Sequence, residues 1–206
     1  MILKKYKKDF EYSYTLGIFP SIELLTSKPE IVSDVFYSER MLVDNKSFNI
    51  VKELCARNNI KMVQNDKIIN CLSEKQNTLL ICVFEKYSSS LDKNENHIIL
   101  INPSDSGNLG TIIRTASGFN FTNIAIVQPA VDVFDPRVIR SSMGAVFKVK
   151  VEYFRNFNEY GNRFIANNMY LLDVRADSYI HDVSFEQPCT LVFGKEGSGT
   201  PEEYLY

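Results

Sequence analysis

Residues able to do chemistry concentrate in three short stretches. The first is Asn108-Leu109-Gly110-Thr111-Ile112-Ile113-Arg114-Thr115-Ala116, which follows an apolar run and a turn rich in Pro, Ser, Asp and Gly. Leu109, Ile112, Ile113 and Ala116 recur at i, i+3, i+4 and i+7, one apolar face of a helix. Arg114 falls well off that stripe, in a helix whose first N–H groups have no intrahelical partners. It is either a solvated side chain or a bidentate grip for phosphate. The second stretch, Gly194-Lys195-Glu196-Gly197-Ser198-Gly199, closes another apolar run. Its glycines permit tight turns and close backbone approach, so Glu196 is either a ligand contact or a solvated carboxylate. The third, Arg140-Ser141-Ser142-Met143-Gly144-Ala145, carries small residues suited to close packing or to ligand contact.

These loops match neither G-x-G-x-x-G nor the P-loop pattern, since Lys195 precedes the glycine-rich part. A dinucleotide site of the Rossmann kind is therefore disfavoured.

The elements that must carry these residues alternate. Residues 21–27 read as a short helix with Ser21 as N-cap, followed by a strand in "VSDVFYS". A helix over 47–59, a strand in "IKMVQ", a short helix and turn in "NDKIINCLSEKQN" and a buried strand over 78–86 complete a first α/β unit. "YSSSLDKNENH" reads as a linker. Beyond it, strands in "HIILI", "NIAIVQP", "KVKVEYF", "MYLLDVR" and "CTLVFG" alternate with helices, including one over 135–147 with Asp135 as N-cap and Pro136 at its first position. The pattern predicts an α/β fold with a mostly parallel sheet, and ligands beyond the carboxyl ends of its strands. It divides the chain into an N-terminal domain over 1–88, a linker over 89–96 and a second domain over 97–206.

Composition bounds the rest. The chain has 206 residues, 45% hydrophobic and 23% charged, which suits a packed globular protein rather than a disordered or coiled-coil one. A net charge of −2 means that any basic footprint is local. One such place is the N-terminus, where Lys4, Lys5, Lys7 and Lys8 surround Tyr6: a frayed end or a phosphate-contacting arm. The cysteines at 55, 71, 82 and 189 form no C-x-x-C pair and, with only His97 and His181 beside them, suggest no metal site. They read as reduced thiols of a cytoplasmic protein. No apolar run reaches the ~18–20 residues of a membrane span, and no apolar segment of signal-peptide type follows the first lysines.

Taken in order, the three stretches resemble the SpoU (TrmH) family of RNA ribose 2′-O-methyltransferases, within the SPOUT superfamily. The match covers about residues 97–206. The first half is similar to that family's N-terminal RNA-binding domain, an α/β fold like a class of ribosomal proteins, through "GIFPSIELL" and "CLSEKQNTLLICVFE". The resemblance implies a trefoil-knotted sheet, S-adenosylmethionine as cofactor, a homodimer, and methyl transfer to a 2′-hydroxyl of structured RNA, rRNA before tRNA. It implies catalytic roles for Arg114, Asn108 and Glu196. It places the cofactor against Val127, Gln128, Pro129, Gly194, Lys195, Glu196, Gly197 and Gly199, and RNA against Arg114, Arg140 and Ser142, to which the basic run adds Lys4 and Lys5 as candidate phosphate contacts. The family's third motif, an apolar strand with Ser-Leu-Asn and a helix, is expected beyond Glu196 and does not occur before Tyr206; if the protein truly lacks it, the knot is incomplete. The alternatives are a non-catalytic RNA-binding or assembly protein of the same fold and a different nucleotide-binding α/β enzyme.

Overall fold

The apolar runs become the strands of two sheets. A computed structural model describes residues 3–43, 45–73, 77–195, 197 and 199. The first layers comprise β1 (Tyr12–Tyr14), α1 (Ile18–Ser27), β2 (Val32–Tyr37), α2 (Asn45–Arg57), β3 (Met62–Gln64), α3 (Asp66–Leu72) and β4 (Leu80–Glu85). Their sheet runs β1-β4-β2-β3, with β4 antiparallel to both neighbours and β3 parallel to β2. The second group comprises β5 (His97–Ile101), α4 (Ser106–Gly118), β6 (Asn123–Val127), α5 (Pro136–Ser141), β7 (Lys150–Phe154), α6 (Phe157–Arg163), β8 (Asn168–Leu172) and β9 (Cys189–Phe193). Its order is β7-β6-β5-β9-β8 and every pairing is parallel. β5 and β6 are buried along their whole length, as strands covered on both faces must be.

Several local expectations change. Ser21 does not cap α1: the helix opens after Gly17, and Ser21 lies buried inside it, donating to the Gly17 carbonyl at 2.7 Å and bonded to Thr15 Oγ1 at 2.6 Å. β1 is a strand that the sequence pattern does not predict. The helix predicted over 135–147 stops at Ser141. Asp135 caps it as expected, accepting from the Arg137 N–H at 2.8 Å. Met143 and Gly144 then take φ of 54° and 86°, and a single 3-10 turn, Ala145–Lys148, follows. The cause is tertiary. A Cβ on Gly144 would stand 2.7 Å from Glu23 Cβ and 3.0 Å from Pro20 Cα, so α1 of the first layers rests directly on this turn.

That contact belongs to a core shared by both sheets. Leu24, Leu25 and Phe84 pack with Phe134, Val146 and Phe147, and Phe84 meets Phe134 and Phe147 edge-on with ring centroids 5.8 and 5.2 Å apart. Ser13 donates its hydroxyl to the Phe134 carbonyl at 2.5 Å, and Lys148 pairs with Glu23 at 2.8 Å. The 89–96 stretch lies along the second sheet: Ser89 exchanges hydrogen bonds with the backbone of Val151, and Leu91 is buried.

Helices α4 and α5 meet at Gly110. A Cβ there would come 1.9 Å from Ser141 Oγ and 2.6 Å from the Val138 carbonyl oxygen. Ser141 closes the contact by donating to the Ser106 carbonyl at 3.0 Å. Gly110→Ala is expected to cost on the order of 1–3 kcal/mol of overpacking, read as a lower urea midpoint with an unchanged slope.

At the amino edge of the second sheet, His97 is fully buried. Its Nε2–H faces the Asp92 carbonyl at 2.7 Å, which can only accept, so Nδ1 accepts from the Tyr160 hydroxyl at 2.7 Å. Tyr160 in turn bonds Thr190 at 2.8 Å. Burial holds the imidazole pKa below its ordinary value. The folded state therefore binds this proton less readily than the unfolded chain. The stability contribution is full above the unfolded pKa near 6.5 and is lost as pH falls below it. Urea unfolding at pH 7.5 and 5.5 should show lower stability at the acidic value, and His97→Gln should flatten that dependence.

Candidate active site

Because β5 lies between β6 and β9, the loops after these three strands emerge side by side. Ile101 is level with Val127, and Leu100 with Phe193. Asn102, Gln128 and Gly194 thus begin three adjacent loops at the carboxyl edge, where open parallel sheets bind ligands.

Asn102 ties two of them together. It sits at φ 48°, its N–H donates to the Val127 carbonyl at 3.0 Å, and its side-chain amide donates to Val127 and Pro129 carbonyls at 3.3 and 3.4 Å. The Val131 N–H completes the tie on Pro103 O at 2.9 Å. Asn tolerates a left-handed backbone and offers a short amide, which is why this residue type works here. The sequence places Asn102 at the start of a ligand-side loop but gives its side chain no role; an Asn directly after a buried strand is the one signal for it.

The third loop is a closed turn. Lys195 and Gly199 exchange both backbone hydrogen bonds, at 2.9 and 2.8 Å. Gly197 has open space where a side chain would be, and a Cβ on Gly199 would lie 3.8 Å from the Asp173 carboxylate after β8. At Gly197 the backbone is therefore open to whatever approaches it. Beside it, Leu172, Val174, Tyr179 and Ile180 line part of a concavity of about 640 Å³. No periodicity in residues 174–185 marked that wall. Glu196, expected in the catalytic set, lies outside the described residues.

Each remaining candidate has a definite place. Asp105 caps α4 by accepting from the Asn108 N–H at 2.7 Å, which leaves Asn108 exposed in the first turn at the same edge. Arg114 is exposed, and its guanidinium bonds no described residue. Since α4 begins at Ser106, Arg114 occupies its third turn. Eight residues at 1.5 Å rise set it ~12 Å along the axis from the helix start. Val127 is buried as the last residue of β6, while Gln128 and Pro129 stand exposed beyond it and Lys195 projects to solvent. Arg140 is half-buried at the end of α5, and its guanidinium pairs with no carboxylate among the described residues. Ser142, expected to touch RNA, is corrected: it is wholly buried and donates its hydroxyl to the Ile139 carbonyl at 3.0 Å. The third stretch is thus mainly a packing device. Lys4 and Lys5 are exposed on an ordered N-terminal segment.

The edge carries the open backbone of Gly197, the exposed Asn108 in the first turn of α4 and, among the described residues, an uncommitted guanidinium at Arg114. Among the same residues no group of His, Cys, Asp and Glu could hold a metal ion. A SpoU rRNA methylase model matches residues 95–206, more than half of the chain. The chain belongs to the SpoU rRNA methylase family. A 23S rRNA (uridine(2479)-2′-O)-methyltransferase of Streptomyces viridochromogenes is 28% identical over 109 residues, covering 50% of this chain and 38% of the relative. An uncharacterised tRNA/rRNA methyltransferase of Synechocystis is 29% identical over 104 residues, again 50% of this chain and 38% of the relative. The matched part is thus little more than a third of the length of these curated relatives. The fold is that of the SpoU methyltransferase AviRb of Streptomyces viridochromogenes, solved with AdoMet: TM-score 0.77 at 22% identity, over 95% of this chain and 77% of that one.

The Asn102 tie gives a direct test of how this SpoU edge is held. Asn102→Ala should lose about 2 kcal/mol, from the left-handed backbone and the side-chain bonds together. Asn102→Gly, which accepts φ 48° freely, should fall between Ala and the parent in urea unfolding. Equal losses for Ala and Gly would remove the backbone part of this account.

Proposed function

We propose that this chain transfers a methyl group from S-adenosylmethionine to a ribose 2′-hydroxyl of structured RNA in the cytoplasm, with rRNA favoured over tRNA. The observation that carries the reading is the convergence of three loops beside the Asn108 end of α4, inside the segment that the family model matches. The activity for which the Streptomyces relative is named supports the ribose position and rRNA. The AdoMet complex of a protein with this fold supports the cofactor. Free cysteines at 55, 71, 82 and 189 fit a reducing compartment.

The described residues fit such a cofactor. Gly197 leaves open space for close approach, and Gln128 and Pro129 stand exposed across the edge. The cofactor would be held by Gly194, Lys195, Gly197 and Gly199 on one side and by Val127, Gln128 and Pro129 on the other, with Glu196 assigned to the same turn. When bound, it supplies an electrophilic methyl group.

The protein's own groups do the rest. A 2′-hydroxyl must lose its proton as it attacks, so a neighbouring group has to take or guide that proton. A guanidine with pKa above ~12 is a poor base in ordinary surroundings. Arg114 accordingly grips the phosphate next to the target ribose and orients its hydroxyl, and a base role needs that phosphate beside it. Asn108 holds the ribose or cofactor through its amide, and Arg140 contacts the RNA backbone.

The separation along α4 supports a homodimer. Arg114 stands ~12 Å along the helix from the edge loops, beyond the reach of one side chain, so a second copy is the natural source of the facing surface. The reading also includes a trefoil knot in the second sheet and RNA binding by the first layers over 1–88.

Arg114→Ala should lower transfer from tritiated S-adenosylmethionine to ribosomal RNA by at least ~100-fold while leaving the thermal melt unchanged, because the side chain is exposed. Full activity in that variant would remove Arg114 from the mechanism. RNA binding without cofactor binding or transfer in the parent would favour an assembly protein instead.

A further inference from the structure

The lysine-rich N-terminus is not a loose tail. Leu3 and Tyr6 pack against the cluster of Tyr14, Phe36, Ile81 and Val83, while Lys4, Lys5, Lys7 and Lys8 face solvent. The Lys4 and Tyr6 N–H groups donate to the Tyr12 and Tyr14 hydroxyls, each at 3.1 Å. The Phe10 N–H then closes a turn on Lys7 O at 3.1 Å.

One carboxylate fastens this segment to the second sheet. The Tyr6 hydroxyl donates to Asp132 Oδ2. Lys86 Nζ reaches the same oxygen at 2.9 Å, donates to the Lys8 carbonyl at 2.8 Å, and lies 4.8 Å from the centre of the Tyr6 ring. Asp132 Oδ1 accepts from the Phe134 N–H at 2.9 Å. The side chains of Lys86 and Asp132 are each only 13% exposed. A charge so enclosed is costly unless every partner is in place, so the geometry is strongly specified. Asp132 also stands three residues beyond Pro129, on the loop that walls the candidate site.

We propose that Tyr6, Lys86 and Asp132 form a latch that fixes residues 4–8 as a basic rail beside the catalytic edge, and that this rail carries the sugar–phosphate backbone of the substrate RNA. This rests on the RNA reading above. Asp132 and Tyr6 are positioning residues; the exposed lysines touch the phosphates. Ordering the segment in advance reduces the entropy lost on binding, and each phosphate neutralised releases counterions.

The test uses the full chain as Tyr6→Phe, as the fourfold variant K4A/K5A/K7A/K8A, and as both combined. Trypsin cleavage within residues 4–8 reads the latch without RNA, and it should be slow in the parent and faster in Tyr6→Phe. Affinity for a fluorescein-labelled RNA hairpin, followed against salt, reads the rail. The fourfold variant should bind roughly tenfold more weakly, with the slope of log K against log salt shallower by about 0.7–0.9 for each phosphate that the lysines no longer neutralise. Tyr6→Phe should lose part of that affinity, and the combination should bind no more weakly than the fourfold variant alone. S-adenosylmethionine affinity should stay at the parent value in all three variants, and the thermal melt should stay at the parent value in the fourfold variant, whose lysines are exposed. Parent-like cleavage in Tyr6→Phe overturns the latch. Parent-like hairpin affinity and slope in the fourfold variant overturn the rail but leave the methyltransferase reading intact. A parent chain that neither binds the hairpin nor methylates ribosomal RNA overturns both.

Discussion

The missing side chain at Gly110 governs the approach of α4 to α5. With the Ser141 hydroxyl standing where a Cβ would go, the two helices lie as close as backbones allow. That contact sets the tilt of α4, and with it the direction of Asn108 and Arg114. Just beyond α5, a second close contact has Gly144 turn to meet Glu23 and Pro20 of α1. The helix that carries the functional side chains and the approach of the first layers are therefore governed by close contacts at two glycines, Gly110 and Gly144. Closely packed interiors transmit such a constraint because they have little free volume to absorb it.

The two edges of the second sheet use polar groups in opposite ways. At the amino edge, His97, Tyr160 and Thr190 bond one another inside the core. Those groups are committed and serve to fix strand ends. At the carboxyl edge, backbone bonds close the loops through Asn102, Pro103, Lys195 and Gly199, and the guanidinium of Arg114 is left to solvent. A group that has already met its hydrogen-bonding needs has little to offer a ligand. The asymmetry itself separates scaffold from site.

The first layers are bound to the second sheet by apolar, hydrogen-bonded and ionic contacts together. Phe84 sits against Phe134 and Phe147, Ser13 against the Phe134 carbonyl, and Tyr6 and Lys86 against Asp132. Several of these fall on the loop between β6 and α5, which also meets the Asn102 tie. Whatever rests on the first layers is thereby held at a definite distance from the carboxyl edge.

Much of this was legible in the residues alone. Continuous apolar runs marked β5, β6 and β9, because strands covered on both faces need no polar alternation. The four-residue rhythm of Leu109, Ile112, Ile113 and Ala116 marked the buried side of α4, and Asp135-Pro136 marked the start of α5. The order of the three stretches was enough to suggest the family that the chain proved to belong to. Periodicity could not say which small residues serve packing and which serve ligands, since both uses demand the same lack of bulk. Only the packed structure decided that Ser142 is buried, that Ser21 lies inside α1, that the helix after Asp135 breaks at Met143, and that the lysine segment is fastened through Tyr6 to a carboxylate 126 residues away. These outcomes depend on contacts between parts of the chain far apart in sequence, and a local pattern carries no information about what will be brought beside it.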